Sequence, residues 1–238
     1  MSNEQPGQPA DAASGRGAGK VRAFLHDLRR RTQGIAPVTP LPEPSNAALR
    51  EVDPSDDLTG RFVASAEAAG CRVRRASADT WVDSVVVILQ GLAARRVVVE
   101  PLAASALIAE RAAALAATLQ SVGIAAAWER DDETLFSVDA AVTGVWGGIA
   151  ETGTIVCVSG EAARGSSLIP PAHVAIIADT QIVADLFDAF ERLSTTGPLP
   201  ANVNFITGPS KTADIEGVLV TGMHGPGEVH IVVVSRSG

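Results

Sequence analysis

The residues best suited to chemistry lie in four short polar, glycine-containing segments of the second half of the chain. The first, Glu151-Thr152-Gly153-Thr154, places a carboxylate and two hydroxyls around a glycine, which lets backbone approach a ligand closely. The same composition is that of a β-bulge. The second runs from Arg164 through Ser166 and Ser167 to Pro170-Pro171 and leads into His173. Arg164 offers a planar, two-pronged donor for a carboxylate or phosphate, and equally reads as a surface arginine in a connecting loop. The third is Thr207-Gly208-Pro209-Ser210-Lys211-Thr212-Ala213-Asp214-Ile215-Glu216. Its Gly208 and Ser210 can present backbone N–H groups as an anion-binding nest, with further donors from Ser210, Lys211 and Thr212. It is not a phosphate-binding loop of the Gly-x4-Gly-Lys-Ser/Thr type, because that spacing fails. If this stretch is extended, Asp214 and Glu216 point to one side, as paired catalytic carboxylates or as a solvated strand face. The fourth, Thr221-Gly222-Met223-His224-Gly225-Pro226-Gly227, is a tight turn with His224 at its tip. Histidine is the natural acid–base residue near neutral pH, although a lone loop histidine is more often simply exposed. His230, inside an apolar strand pattern, reads as a satisfied sheet residue.

Composition narrows the chemistry further. The chain has 238 residues, a formal net charge of −8 and 46% hydrophobic residues, enough for a sizeable core. Tyrosine is absent, so no mechanism can use a phenol. The two cysteines, Cys71 and Cys157, are far apart in sequence, so the chain lacks the clustered thiolates of a zinc or iron–sulfur site and they read as reduced and buried. The four histidines have no metal-ligand spacing, so no metal site is expected. The acidic balance argues against nucleic acid as a partner. No apolar run is long enough to span a membrane and no leader pattern is present, which makes the expected location the cytoplasm.

These segments must be positioned by a scaffold that the hydrophobic pattern outlines. Residues 1–19 are poor in large apolar side chains and are expected to be disordered. Residues 20–33 form a basic amphipathic helix, with Val21, Phe24, Leu25 and Leu28 on one face and Lys20, Arg22, Arg29, Arg30 and Arg31 against the single acid Asp27. It is a candidate arm for a partner or a second copy of the chain, or a solvated helix on its own core. Residues 34–54 contain five prolines and read as an extended linker. From residue 55 onward, helices expected over 58–69, 80–94 and 104–119 alternate with strands over 71–76, 96–99 and 124–128. That rhythm predicts a parallel sheet covered by helices. Beyond it, strands are expected over 138–145, 148–158, 173–178, 203–207, 218–221 and 228–234. A helix is expected over 180–193, with Ile182, Val183, Leu186, Phe187, Phe190 and Leu193 as its core stripe.

On these residues the chain resembles the lactate utilization protein C group, the LutC/YkgG-like LUD-domain proteins. The resemblance rests on Glu151-Thr152-Gly153-Thr154, Ser167-Leu168-Ile169-Pro170-Pro171-Ala172-His173, Asn204 through Glu216, and His224-Gly225-Pro226-Gly227, and covers roughly residues 55–235. It implies a mainly parallel, three-layer α/β fold similar to the sugar-phosphate isomerase and CoA-transferase group (NagB/RpiA/CoA transferase-like). It also implies a bacterial cytoplasmic pathway that oxidises L-lactate to pyruvate with iron–sulfur partner proteins, the clusters residing in those partners. Three functions are compatible with the residues. The first is a non-redox subunit that binds an anionic ligand (a carboxylate, phosphate or CoA-like group) or a partner surface through residues 207–212. The second is an enzyme of CoA-transferase or isomerase type using Glu216, supported by Asp214 and His224. The third is a regulatory module that senses a carboxylate through Arg164.

Overall fold

Runs such as Val97-Val98-Val99 and Ile231-Val232-Val233-Val234 are apolar at every position, so strands built from them must be covered on both faces. The computed structural model shows that arrangement. It describes residues 26–27, 30–31, 50–100, 102, 105–128, 131–158, 165–197, 199–213 and 219–236. The chain divides into two units, Met1–Ser45 and Asn46–Gly238. In the first, His26, Asp27, Arg30 and Arg31 are helical. There Asp27 accepts ion pairs from Arg30 at 2.9 Å and Arg31 at 2.8 Å. The expected disordered tail and most of the proline-rich linker lie outside the described residues.

The second unit is built on a six-stranded, wholly parallel sheet. Its strands are β1 (Arg72–Ser77), β2 (Arg96–Val99), β3 (Ala125–Ala127), β4 (Ala140–Gly144), β7 (Ala172–Ala178) and β12 (Glu228–Ser235), in the spatial order β1-β12-β7-β4-β2-β3. Helices α2 (Trp81–Gly91) and α3 (Ala106–Ser121) cover one face, packing Trp81, Leu89, Ile108 and Leu115 on Val97, Val142, Val174 and Val232. On the other face lie α1 (Leu58–Ala68), α4 (Asp132–Ser137) and a second, mixed sheet. That sheet contains β5 (Gly147–Ile149), β6 (Thr154–Val158), β8 (Ile182–Val183) and β9 (Val203–Ile206), in the order β8-β5-β6-β9. Helix α5 (Leu186–Thr195) packs Ala189 on its far side, against Ile149 and Val156. A hairpin of β10 (Lys211–Ala213) and β11 (Leu219–Thr221) completes the unit. The result is the expected three-layer α/β architecture. No helix among the described residues is long and apolar enough to cross a membrane.

Three expectations are corrected. Residues 148–158 form not one strand but a hairpin, β5 and β6 joined by a turn through Gly153 (φ +66°). Residues 180–193 do not form one helix. Gln181 donates its amide to the Val145 and Trp146 carbonyls, and Ile182 and Val183 pair with Gly148 and Ile149. The helix begins only at Leu186, where the Asp185 side chain accepts from the Asp188 N–H at 2.9 Å, an N-cap. Its expected core stripe is half outward: Leu186, Phe187 and Phe190 are exposed, whereas Ile182 and Leu193 are buried, and Ala189, outside that stripe, is buried as well. Finally, the body includes residues upstream of 55. Val52 is buried in the core, and Arg50 reaches Asp185 at 3.4 Å and Asp188 at 2.6 Å.

The end of α2 carries its glycine where the backbone does not require one. Gly91 is helical, and a Cβ built there meets nothing within 4 Å. Two residues on, Ala93 adopts φ +52°, the conformation that favours glycine. Gly91→Ala and Ala93→Gly are therefore each expected to stabilise the protein by roughly 0.5–1 kcal/mol, seen as a rise in thermal midpoint of about 1–4 °C.

Candidate functional site

The four polar segments converge at the amino-terminal edge of the parallel sheet. This follows from chain order: α1 ends at this edge before β1, residues 165–171 precede β7, and residues 222–227 precede β12. The segments are joined directly. The Ser210 N–H donates to the Pro226 carbonyl at 2.9 Å, and the Gly222 N–H to the Ser210 carbonyl at 2.8 Å. The Gly227 N–H donates to the Pro171 carbonyl at 2.9 Å. A Cβ at Gly225 would lie 3.3 Å from the Ser210 Cβ and 3.6 Å from the Leu168 carbonyl oxygen.

The first and third segments meet through hydroxyls. Thr152 and Thr154 place their Oγ1 atoms 2.6 Å apart, and Thr154 and Thr207 place theirs 2.7 Å apart. The register that causes this is antiparallel β6–β9 pairing, with Ile155 opposite Ile206 and the two threonines one step beyond. Thr154 is buried, while Thr152 and Thr207 at the two ends are exposed. Three hydroxyls joined by two hydrogen bonds use two of their three O–H donors, so one O–H is left over within the trio. Hydrogen bonds in series polarise one another, which strengthens that last donor.

Helix α1 forms the wall of this site. A Cβ on Gly153 would fall 2.1 Å from the Ala66 nitrogen, so the turn can lie against the helix only as glycine. The Ser65 hydroxyl donates to the Glu151 carbonyl at 3.2 Å. Gly208 (φ +88°) sits equally close, with a built Cβ 2.4 Å from the Ala69 carbonyl oxygen. The helix presents its carbonyl end here, which carries partial negative charge, and Lys211 donates to the Ala69 carbonyl at 3.1 Å. The Lys211 amine and the Ser210 N–H are thus engaged within the chain, and the Gly208 N–H faces the Cys71 sulfur. Pro209 and Thr212 are partly buried beside them, and His224 is exposed on its turn. Arg164, Asp214 and Glu216 lie outside the described residues.

Residues that sequence reasoning did not assemble form a second, buried polar group. His173 is fully buried on β7, and its Nε2 lies 2.8 Å from the Thr143 hydroxyl on β4. Its Nδ1 and the buried Ser166 hydroxyl have no hydrogen-bond partner among the described residues. Burial alone lowers the His173 pKa to about 4, so the ring is neutral. The Cys157 thiol is hydrogen-bonded to Ser167, yet burial, aided by the Glu100 charge, pushes it up to about 12. Burial likewise raises Cys71 to about 11 against the opposing Gly208 N–H and Lys211 charge. Both thiols are free and remain protonated at neutral pH. Two signals for this group were present in the sequence: the Ser166-Ser167 pair before Pro170-Pro171, and Glu100 ending the apolar run of β2. Among the described residues no cluster of three metal-ligating side chains occurs.

Comparison with known proteins places the chain. The model of the LUD domain family matches residues 60–234. An uncharacterized protein of Neisseria meningitidis serogroup B is 37% identical over 116 residues, 45% of this chain and 49% of that protein. Lactate utilization protein C of Geobacillus sp. (strain WCH70) is 41% identical over 92 residues, 37% of this chain and 38% of that protein. Its namesake in Bacillus subtilis is 37% identical over 92 residues, again 37% of this chain and 38% of that protein. The matches thus span less than half the length of these curated relatives. A DUF162 family protein from Deinococcus radiodurans shares the fold, with a TM-score of 0.53 and 22% identity over 74% of this chain and 96% of that one.

Proposed function

Because the chain belongs to the LUD domain family, we propose that it is a non-redox subunit of a bacterial system oxidising L-lactate to pyruvate. In this reading it holds a small anion at the threonine site, and iron–sulfur partner proteins carry the two electrons released. The names of the Geobacillus and Bacillus relatives support the pathway. The observation that carries the site is the Thr152–Thr154–Thr207 hydroxyl chain, whose spare O–H suits a carboxylate oxygen. The whole sequence contains only Cys71 and Cys157, in separate elements and both protonated, which does not fit a four-thiolate cluster in this chain.

Thr154→Val tests this reading, because valine keeps the shape and removes the central hydroxyl. L-lactate, pyruvate and inorganic phosphate are titrated against unfolding. At least one should stabilise the wild-type protein by about 2.7 kcal/mol at a hundredfold excess over its dissociation constant. The variant should lose most of that gain, and a strain carrying it should grow more slowly on L-lactate. An equal gain in both proteins, or growth on L-lactate that is indifferent to deletion of the chain, overturns the proposal.

A further inference from the structure

On the opposite face of the sheet, a groove of about 340 Å³ runs between β1 and the carboxyl-terminal half of α2. Its apolar wall is supplied by Val87, Ile88 and Leu92 of the helix, with the backbone of β1 opposite them, since the Val73 side chain packs on the other face. Val87 is 49% exposed, a large aliphatic side chain left half in water on the solvent-facing stripe of the helix, beside the exposed Asp83, Gln90 and Gly91. The groove's polar end is basic. Arg72 and Arg74 project from β1 on the same side as His230 of β12, which is paired directly with Arg72. Glu228 offsets only one of these charges: its Oε2 lies 2.8 Å from Arg72 and 3.3 Å from the His230 Nε2. Arg74 has no ion pair with any described residue, so the groove end keeps a positive charge on a chain whose net charge is −8.

Gly91 lines the same groove. Its backbone does not need glycine and no neighbouring atom excludes a side chain, yet a helical glycine lowers stability relative to alanine. A local rule broken without structural cause is the usual mark of a site where something else occupies the space. The bare position keeps the groove open beside Val87 and Leu92.

We propose that this groove binds an amphipathic anion. A carboxylate or phosphate head is held by Arg74 and Arg72 with His230 at its side, and an alkyl or similar apolar body lies over Gly91, Val87 and Leu92. An arginine fork suits either head group, and the apolar wall selects ligands that carry a body. This site is separate from the threonine site, across the sheet from it.

Calorimetric titration of the full chain with octanoate, octyl phosphate, acetate and inorganic phosphate tests the proposal. At least one of the two amphiphiles should bind about tenfold or more tightly than its bare head group, and which one does so identifies the head. Arg74→Gln should weaken that binding about tenfold. Gly91→Leu, which fills the groove, should abolish it while the thermal midpoint stays at or above that of wild type. Thr154→Val should leave it unchanged, which separates this site from the anion site proposed above. Binding no tighter than the bare head group, or unchanged in Arg74→Gln or Gly91→Leu, overturns the proposal.

Discussion

Gly153→Ala is expected to destabilise the protein by at least about 3 kcal/mol, lowering its thermal midpoint by roughly 6–12 °C. Two costs add. The residue adopts φ +66°, which disfavours any side chain. The new Cβ would also lie 2.1 Å from the Ala66 nitrogen and 2.4 Å from the Ala66 Cα, both backbone atoms within α1. Helix backbone cannot step aside as the tip of a lysine can, so the turn must leave the helix and take Thr152 and Thr154 with it. Gly123→Ala isolates the first cost. Its φ is +78°, but a Cβ there meets nothing within 4 Å, so that variant should cost only about 1 kcal/mol. Chemical denaturation of the two variants side by side measures the difference. Similar losses in both would show that the approach of turn to helix is looser than described.

Acid should weaken the fold through His173. Burial lowers its folded-state pKa to about 4, below the ordinary value of about 6.5 for an unfolded chain. Between those values the unfolded state binds more protons than the folded state, so stability rises with pH. The stabilisation is fully present above about pH 6.5 and is lost as pH falls toward 4. From pH 7 to pH 5 the expected loss is about 2 kcal/mol, and over the whole interval on the order of 3 kcal/mol. His230 is also shifted down, chiefly by burial, and contributes with the same sign. Comparing wild type with His173→Asn cancels that contribution, because both proteins keep His230. Denaturation curves at pH 5, 6 and 7 should show the wild type losing about 2 kcal/mol more than the variant by pH 5. Parallel curves would show that the ring is protonated at no extra cost and is therefore not dry.

Elements defined by their own residues could be read from the sequence. The buried runs of β2, β7 and β12 have no polar face to misplace. Helix α1 was expected over 58–69 and spans Leu58–Ala68, because Gly70 ends it at φ +99°. Elements defined by distant partners could not be read. Ile182 and Val183 fit a helical stripe as well as a strand, and only pairing with β5 decides between them. Asp185 was the overlooked local signal, since an N-cap acid marks a helix that starts at Leu186. The polar segments stood out because small and hydrophilic residues interrupt apolar strands, and the structure brings all four together. Their internal bonding was not legible. The Thr154–Thr207 contact depends on the β6–β9 register, and the His173–Thr143 contact on β7 lying beside β4. Nor does composition reveal that Lys211 would be held by a helix end rather than left for an anion.

The order β1-β12-β7 sets a timetable for assembly. Among the described residues the first strand of the parallel sheet has one partner, β12, the last strand in chain order, and β12 also joins β1 to β7. During synthesis β1 emerges early and must wait, its edge unsatisfied, until more than a hundred and fifty later residues have been made. Contacts so distant along the chain slow folding and lengthen the interval in which an open strand edge can meet another nascent chain. The arginines at positions 72, 74 and 75 of β1 lie on that waiting edge, where like charges keep copies apart. Arg72 and Arg74, which line a groove in the finished protein, therefore also guard the unfinished one.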